Sequence, residues 1–342
     1  MKILVTGGAG FIGSHTVVEL VNAGHEPIII DNFDNSAKSA LKGLRNILKK
    51  TIKCYDKDCN DVKVLEQICK KENIEGIIHF AAYKAVGESV ENPLKYYENN
   101  IGSTLNVLKV MLKLGIKNLV FSSSCTVYGQ PDQIPVTEDT PRKPAASPYG
   151  NTKTMCEDIL RDTVTAGNPV KIISLRYFNP IGAHPSAHIG ELPNGVPSNL
   201  VPFITQTAVG IRPKLMVFGH DYDTADGTNV RDFIHVVDLA KAHVSAIQLL
   251  DGQADNYYDV FNIGTGTGNT VLEIIKTFEA VNNLKLNYEL APRRAGDVEK
   301  IYGSVAKAER IMGWKTEKTL AESLQDAWRW EKKIAPQPPV GE

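Results

Sequence analysis

The sequence predicts an α/β protein built on a doubly wound parallel sheet, with a smaller, loop-rich region towards its C-terminus. Three observations carry that prediction. Short apolar, β-branched runs alternate with helix-length amphipathic segments over the first half of the chain. A glycine-rich turn joins the first such run to the first helix. After about residue 178 the alternation loosens into loops rich in Pro and Gly, such as Asn179-Pro180-Ile181-Gly182-Ala183-His184-Pro185.

Taken in order, strands are expected at residues 2–5, 27–30, 76–80, 118–122 and 170–175, and helices at 11–23, 37–50, 62–72, 93–114 and 149–166. Strands separated by helices need crossover connections, which are right-handed and leave a parallel sheet covered on both faces. Asn92 stands where it can cap a helix that opens with Pro93, and Gly115 follows that helix's last apolar residues as a stop. Residues 233–250 read again as a strand and a helix that return to the first sheet. The resulting division gives 1–178, with a return segment at 233–262, to one domain. Residues 179–232 and 263–335 form a second, ligand-binding region, and 336–342 a disordered tail.

A chain of 342 residues is long enough for one large core or two closely packed ones. With 42% hydrophobic and 23% charged residues and a formal net charge of -1, it carries no basic excess to attract nucleic acid or an anionic membrane. The five cysteines, Cys54, Cys59, Cys69, Cys125 and Cys156, form no Cys-x-x-Cys pair and read as reduced thiols. Met1 leads straight into Ile3-Leu4-Val5, and no run approaches the roughly 18 apolar residues of a membrane span. These features predict a cytoplasmic protein.

The turn Thr6-Gly7-Gly8-Ala9-Gly10-Phe11-Ile12-Gly13 spaces its glycines for a dinucleotide. Gly7 permits the tight turn, Gly10 lets a pyrophosphate approach the backbone, and Gly13 lets the helix lie close to the strand. The helix N-terminus adds unpaired N–H groups and a partial positive charge. The second strand ends at Asp31, where a carboxylate hydrogen-bonds the adenosine ribose and repels a 2′-phosphate. Together these features describe a Rossmann-type site for NAD rather than NADP. The turn has no Gly-Lys-Ser/Thr ending, which sets aside the phosphate-loop triphosphatases.

Ser147-Pro148-Tyr149-Gly150-Asn151-Thr152-Lys153 places Tyr149 and Lys153 on one face of a helix opened by Pro148. For tyrosine to act as a base near neutrality its pKa must fall by about 3 units, roughly 4 kcal/mol. One exposed ammonium cannot supply that. A lysine in a water-poor cleft, together with an oxidised nicotinamide, can. Phe121-Ser122-Ser123-Ser124 leaves the end of another strand, where α/β proteins place ligands, and Ser124 can share a substrate oxygen with Tyr149.

With Arg176-Tyr177-Phe178-Asn179-Pro180, these motifs resemble the extended short-chain dehydrogenase/reductase superfamily. More closely, Asp31-Asn32-Phe33-Asp34-Asn35-Ser36, Lys84-Ala85-Val86-Gly87-Glu88-Ser89, Gly182-Ala183-His184-Pro185-Ser186 and Val230-Arg231-Asp232-Phe233-Ile234-His235-Val236 resemble the UDP-glucose 4-epimerase family. The matches run from Lys2 to about Trp314. The resemblance implies NAD held by Gly7, Gly10, Phe11, Ile12 and Gly13, by Asp31, Asn32, Phe33, Asp34, Asn35 and Ser36, and by Asp58, Cys59, Phe80, Ala81, Ala82, Lys84 and Asn99. It adds Ser122, Tyr149, Lys153, Tyr177 and Phe178 at the nicotinamide end.

For a UDP-hexose the resemblance implies Ser124, Tyr149, Asn179, Asn199, Leu200, Met216, Val217, Phe218, Arg231, Arg294, Asp297 and Ile301. The fixed donor forks of Arg231 and Arg294 suit a diphosphate. Asp297 suits ribose hydroxyls, and the backbone of 216–218 suits uracil. In the implied reaction Tyr149 takes the proton of the sugar 4-hydroxyl while C4 gives up hydride, and the 4-keto sugar turns over before it is reduced on its other face. Lys153 tunes Tyr149, and Ser124 steers the shared proton. A homodimer is also implied.

Other readings stay open at this level. A nucleotide-sugar dehydratase needs an acid and a base after the serine, where this chain has Cys125 and Thr126, and a sugar-nucleotide decarboxylase expects a Glu there. A noncatalytic NAD-binding regulator would not need Ser124, Tyr149 and Lys153 together. His184 and His188 lack a third ligand at useful spacing, so no metal is expected. Cys125 has no His beside it in sequence to activate a thiolate and reads as a packing residue. Where members of the resembled family carry either a bulky Tyr or a smaller residue, this chain has Ile301, and the resemblance implies room for a 2-acetamido group. Ala82-Tyr83 departs from the family's frequent Gly-Leu.

Overall fold

The computed structural model describes residues 1–294 and 297–335, so the expected tail at 336–342 lies outside the described residues. The chain runs β1 (Lys2–Thr6), α1 (Phe11–Asn22), β2 (Glu26–Asp31), α2 (Ser39–Leu48), β3 (Cys54–Asp56), α3 (Val62–Glu72), β4 (Gly76–His79), α4 (Val86–Glu91), α5 (Pro93–Leu114) and β5 (Asn118–Ser122). After a 3-10 turn at Cys125–Tyr128 come α6 (Pro148–Thr165), β6 (Lys171–Tyr177), β7 (Asn179–Ile181), α7 (Leu200–Ala208), β8 (Leu215–Phe218), β9 (Val230–Arg231), β10 (Phe233–His235), α8 (Val236–Asp251) and β11 (Tyr257–Ile263). The chain continues through β12 (Asn269–Thr270), α9 (Val271–Asn282), β13 (Tyr288–Ala291), β14 (Lys300–Ile301), α10 (Ala306–Met312) and α11 (Leu320–Ile334).

Seven parallel strands form the central sheet in the order β11-β6-β5-β4-β1-β2-β3. Because alternate side chains of a strand face opposite ways, each apolar run feeds two cores. Ile3, Val5, Ile29, Ile78, Val120 and Ile173 pack with α1 and α8 on one face. Their neighbours Leu4, Ile28, Ile30, Ile77, Leu119 and Ile172 pack with α3, α5 and α6 on the other. Winding reverses between β1 and β4, and ligands of such sheets bind at that switch, beyond the strands' C-terminal ends. A separate apolar cluster, with Ile204, Val217, Phe233, Ile274, Phe278 and Leu324, joins α7, α9 and α11 around β8 and β10.

Two local expectations need correction. Asn92 precedes Pro93 at the start of α5, but its side chain makes no cap bond. Its N–H instead bonds the Glu88 carbonyl at 2.8 Å and closes α4, so the residue serves a helix junction. The strand of the returning segment also behaves differently. β10 pairs with β7, which leaves the sheet directly after β6 and carries β10 away. That leaves the place beside β6 to β11, delivered by α8. No helix among the described residues is long and apolar enough to cross a membrane.

Candidate functional site

The C-terminal ends of β1, β2 and β4 open onto a cleft of about 580 Å³. Gly7 turns there with φ +67°, and a Cβ on it would sit 3.0 Å from the Ala81 nitrogen. A Cβ on Gly13 would lie 2.3 Å from the Gly7 carbonyl, so only glycine lets α1 start so close to β1. Gly10 occupies the N-cap of α1, and no side chain caps that end. The first turn of α1 therefore faces the cleft with its N–H dipoles free for a phosphate.

Asp31 closes the adjacent wall. Its Oδ2 accepts from the Ala9 N–H at 2.9 Å, and its Oδ1 accepts from the Phe33 N–H at 2.9 Å and the Ser36 hydroxyl at 2.8 Å. A carboxylate has about four acceptor positions, so one is left for a ligand hydroxyl. Asp31 thus shapes its loop as well as facing the cleft, a duty the glycine pattern did not disclose. Further along, Asp58 accepts from the Asn32 amide at 3.3 Å, and the Asn99 carbonyl oxygen accepts from the Asn60 amide at 2.9 Å.

At the other end, α6 brings the predicted pair together. Pro148 is at the first helical position, and the Ser147 hydroxyl accepts from the Gly150 N–H at 3.2 Å, which fixes where the helix begins. Tyr149 and Lys153 are both buried. The Lys153 ammonium donates to the Ser122 carbonyl at 2.6 Å and lies 4.9 Å above the Phe121 ring. Burial lowers its pKa to about 8. Burial also pushes the Tyr149 phenol up, while the Ser124 hydroxyl works against that rise. The expected downward shift of Tyr149 is therefore not produced by the protein groups alone, because desolvation of the phenolate outweighs them. Ser122 and Tyr177 line the cleft and share a hydroxyl–hydroxyl bond of 2.8 Å.

Beneath this pair lies a buried ion pair. Glu157, one turn beyond Lys153, meets Arg176 of β6 at 2.7 Å and accepts from the Ser123 hydroxyl at 2.5 Å. Arg176 also donates to the Tyr128 hydroxyl at 3.1 Å. The network ties α6, β6 and the loop after β5 together.

Arg231, Arg294, Asp297 and Ile301, four of the residues expected at a sugar nucleotide, lie in a second group. Arg231 on β9 is electrostatically coupled to Asp297 and Arg294, and burial lowers its pKa. Arg294 pairs with Asp297 at 2.9 Å and lies 5.7 Å from the Phe218 ring centroid. Parallel pairing of β14 with β9 sets Ile301 opposite Arg231. The Ile301 side chain is buried with Cys125, Val127 and Phe178.

Residues 3–264 match the profile of the NAD dependent epimerase/dehydratase family. The chain belongs to this family. It is 50% identical over 331 residues to UDP-glucose 4-epimerase of Bacillus subtilis strain 168, covering 97% of each chain. It superposes with a TM-score of 0.94 on the crystal structure of UDP-glucose 4-epimerase from Bifidobacterium longum in complex with NAD+ and UDP, at 46% identity over 98% of this chain and 99% of that one. The UDP-glucose-4-epimerase structure from Stenotrophomonas maltophila, with bound NAD and formylated UDP-arabinopyranose, gives 0.95 at 43% identity, with 98% of each chain covered.

Set against this family frame, Gly7, Gly10, Phe11, Ile12, Gly13, Asp31, Asn32, Asp34, Asn35 and Ser36 line the cleft. So do Asp58, Cys59, Phe80, Ala81, Ala82, Lys84 and Asn99. Phe33 stands beside it at φ 59°, its ring 5.2 Å from the Lys38 ammonium. The Phe178 side chain is buried in one cluster with Ile301, which leaves its backbone for a ligand. Val217 buries its side chain in the apolar cluster around α9, which leaves only its backbone for a ligand. Leu200 opens α7 and packs against the same cluster, while Met216 is half-buried on β8. Asn179 bonds through its N–H to the Asp232 carbonyl at 3.0 Å.

Sequence reasoning missed Glu191, which accepts from Lys84 at 3.3 Å and from Asn199 at 2.7 Å across the cleft. A lone Glu in a Gly- and Pro-rich loop carries no signal by itself. Cys125 is buried and its thiol is pushed up to about 12, as packing requires. His184 bonds Ser186, whereas His188 bonds Lys333, so the two histidines serve different partners.

Proposed function

We infer that the chain catalyses the reversible, redox-neutral 4-epimerisation of UDP-glucose on bound NAD, interconverting it with UDP-galactose. The observation that carries this reading is the meeting of Tyr149, Lys153 and Ser124 where α6 reaches the end of β5, beside a cleft with a bare helix N-terminus. Near-full-length identity to UDP-glucose 4-epimerases supports the substrate.

NAD bound in the cleft supplies a reversible two-electron acceptor for C4 of the sugar. Tyr149 holds the proton that travels with that exchange, as base when the 4-hydroxyl is oxidised and as acid when the 4-keto group is reduced. Ser124 keeps the same oxygen within reach. Lys153 is anchored on the Ser122 carbonyl one helical turn from Tyr149, and the oxidised nicotinamide would have to add the positive charge that the protein groups alone do not supply to the phenolate. Arg231 and Arg294 hold the diphosphate, and the bond from Asp297 aims Arg294. Anchoring by the diphosphate leaves the hexose free to turn, which inversion at C4 requires. Cys125 and Thr126 supply no acid–base pair for the elimination of a dehydratase.

The finer parts of the reading follow from particular residues. The intermediate size of Ile301 supports acceptance of a 2-acetamido group, which would add UDP-GlcNAc and UDP-GalNAc to the substrates. Five free thiols support a cytoplasmic location, and the family likeness supports a homodimer. A proton NMR time course of purified protein with UDP-galactose, without added NAD, tests the main reading. UDP-glucose appearing without net NADH is the expected result. No change in either sugar even after NAD is supplied overturns it. UDP-GalNAc in a parallel tube tests Ile301.

A further inference from the structure

We propose that Tyr83 and Asp34 form a clasp that encircles the bound dinucleotide and sets how fast it exchanges. The proposal rests on the NAD site inferred above. In the sheet β1 lies between β4 and β2, so the loops that follow β4 and β2 stand on either side of the glycine turn. Tyr83 comes from the first loop and Asp34 from the second, and both line the cleft. The Tyr83 hydroxyl donates to Asp34 Oδ2 at 2.5 Å. With the glycine turn as floor and the two loops as walls, that bond completes a ring around whatever lies on the floor.

Both arms are held from behind. Asn100, buried on α5, accepts from the Tyr83 N–H at 2.9 Å and donates to the Tyr83 carbonyl at 3.0 Å. The Lys95 ammonium lies 4.2 Å from the centre of the Tyr83 ring. On the other side Asp31 ties Phe33 and Ser36, and Asn194 donates to the Asp34 carbonyl at 3.2 Å. The Asp34 carboxylate pushes the Tyr83 phenol up to about 12, which keeps the donor protonated at neutral pH. A leucine in place of Tyr83 could not make the bond.

An ordinary ligand contact slows only departure, and its loss weakens binding. A clasp made wholly of protein groups slows entry and departure alike, so its loss speeds exchange without changing occupancy at equilibrium. The test is Tyr83→Phe, which removes only the hydroxyl. The holoenzyme is mixed with isotopically labelled NAD, and the nucleotide recovered from the protein is weighed by mass spectrometry over time. The fraction of NAD retained at equilibrium is followed in parallel through a dilution series, and the thermal midpoint checks folding.

Exchange on the order of tenfold faster, with retention unchanged, is expected for loss of a hydrogen bond to a charged group. Asp34→Asn should also speed exchange and add little to Tyr83→Phe. Unchanged exchange overturns the clasp, as does faster exchange with a matching fall in retention. A wild-type preparation that neither carries nor takes up NAD overturns the functional reading and the clasp with it. Bound NAD with unaltered exchange overturns the clasp alone.

Discussion

The Lys153 ammonium is fixed by the Ser122 carbonyl at 2.6 Å, at the end of β5 and one helical turn from Tyr149. Burial holds its pKa near 8 in the folded protein, against about 10.5 unfolded. Below pH 8 it is charged in both states and its full burial cost opposes folding. From pH 8 to about 10.5 the folded form is neutral while the unfolded form stays charged, so that cost is relieved as pH rises. Relative to Lys153→Met, the wild-type protein should gain up to about 3 kcal/mol across this window. Urea unfolding of both proteins at stepped pH measures the difference, and parallel curves would contradict it.

Tyr149→Phe removes the proton carrier but leaves a ring that fills the same buried space. Activity should fall by about 10²- to 10⁴-fold, the usual worth of a positioned acid–base group. The circular dichroism spectrum and the bound nucleotide should be retained. A variant with full activity in the NMR assay would remove Tyr149 from the reaction.

The Glu157–Arg176 pair is buried, so losing the Glu157 charge strands Arg176, whereas Glu157 also has Arg142 at 3.6 Å. Glu157→Gln should cost about 3–5 kcal/mol in denaturant unfolding. Because Ser123 and α6 share the pair, activity should drop as well. The double substitution Glu157→Gln, Arg176→Met should cost less than the sum of its parts. Additive costs would show that the two charges act independently.

Gly13→Ala places a methyl carbon 2.3 Å from the Gly7 carbonyl, a backbone atom that cannot swing aside. The start of α1 must move away from β1. Purified variant should carry much less NAD, read from the absorbance of nucleotide released on denaturation, and lose about 1–3 kcal/mol of stability. Full NAD content would show that the turn tolerates the shift.

The legible parts of this molecule are those encoded within a few residues of each other. Continuous apolar runs buried on both faces of the sheet, the turn from Gly7 to Gly13, Asp31 ending β2, and Tyr149 four residues from Lys153 after Pro148 are all short-range patterns. Backbone geometry turns such patterns into structure with little help from the rest of the chain. Short pieces were harder, since the three residues of β3 take their strand form from pairing with β2.

What the sequence alone determined was the class of fold, the dinucleotide turn and the acid–base pair, because helix and strand periodicity place those groups locally. Only the tertiary structure decided that Phe178 and Ile301 share one buried cluster, that Glu191 spans from Lys84 to Asn199, and that Tyr83 reaches Asp34. It also decided that Tyr149 is desolvated enough for its neutral form to prevail in the protein alone. Each of these depends on segments far apart in the chain meeting in one place, and on how much water their meeting excludes. Neither quantity is written in any local run of residues.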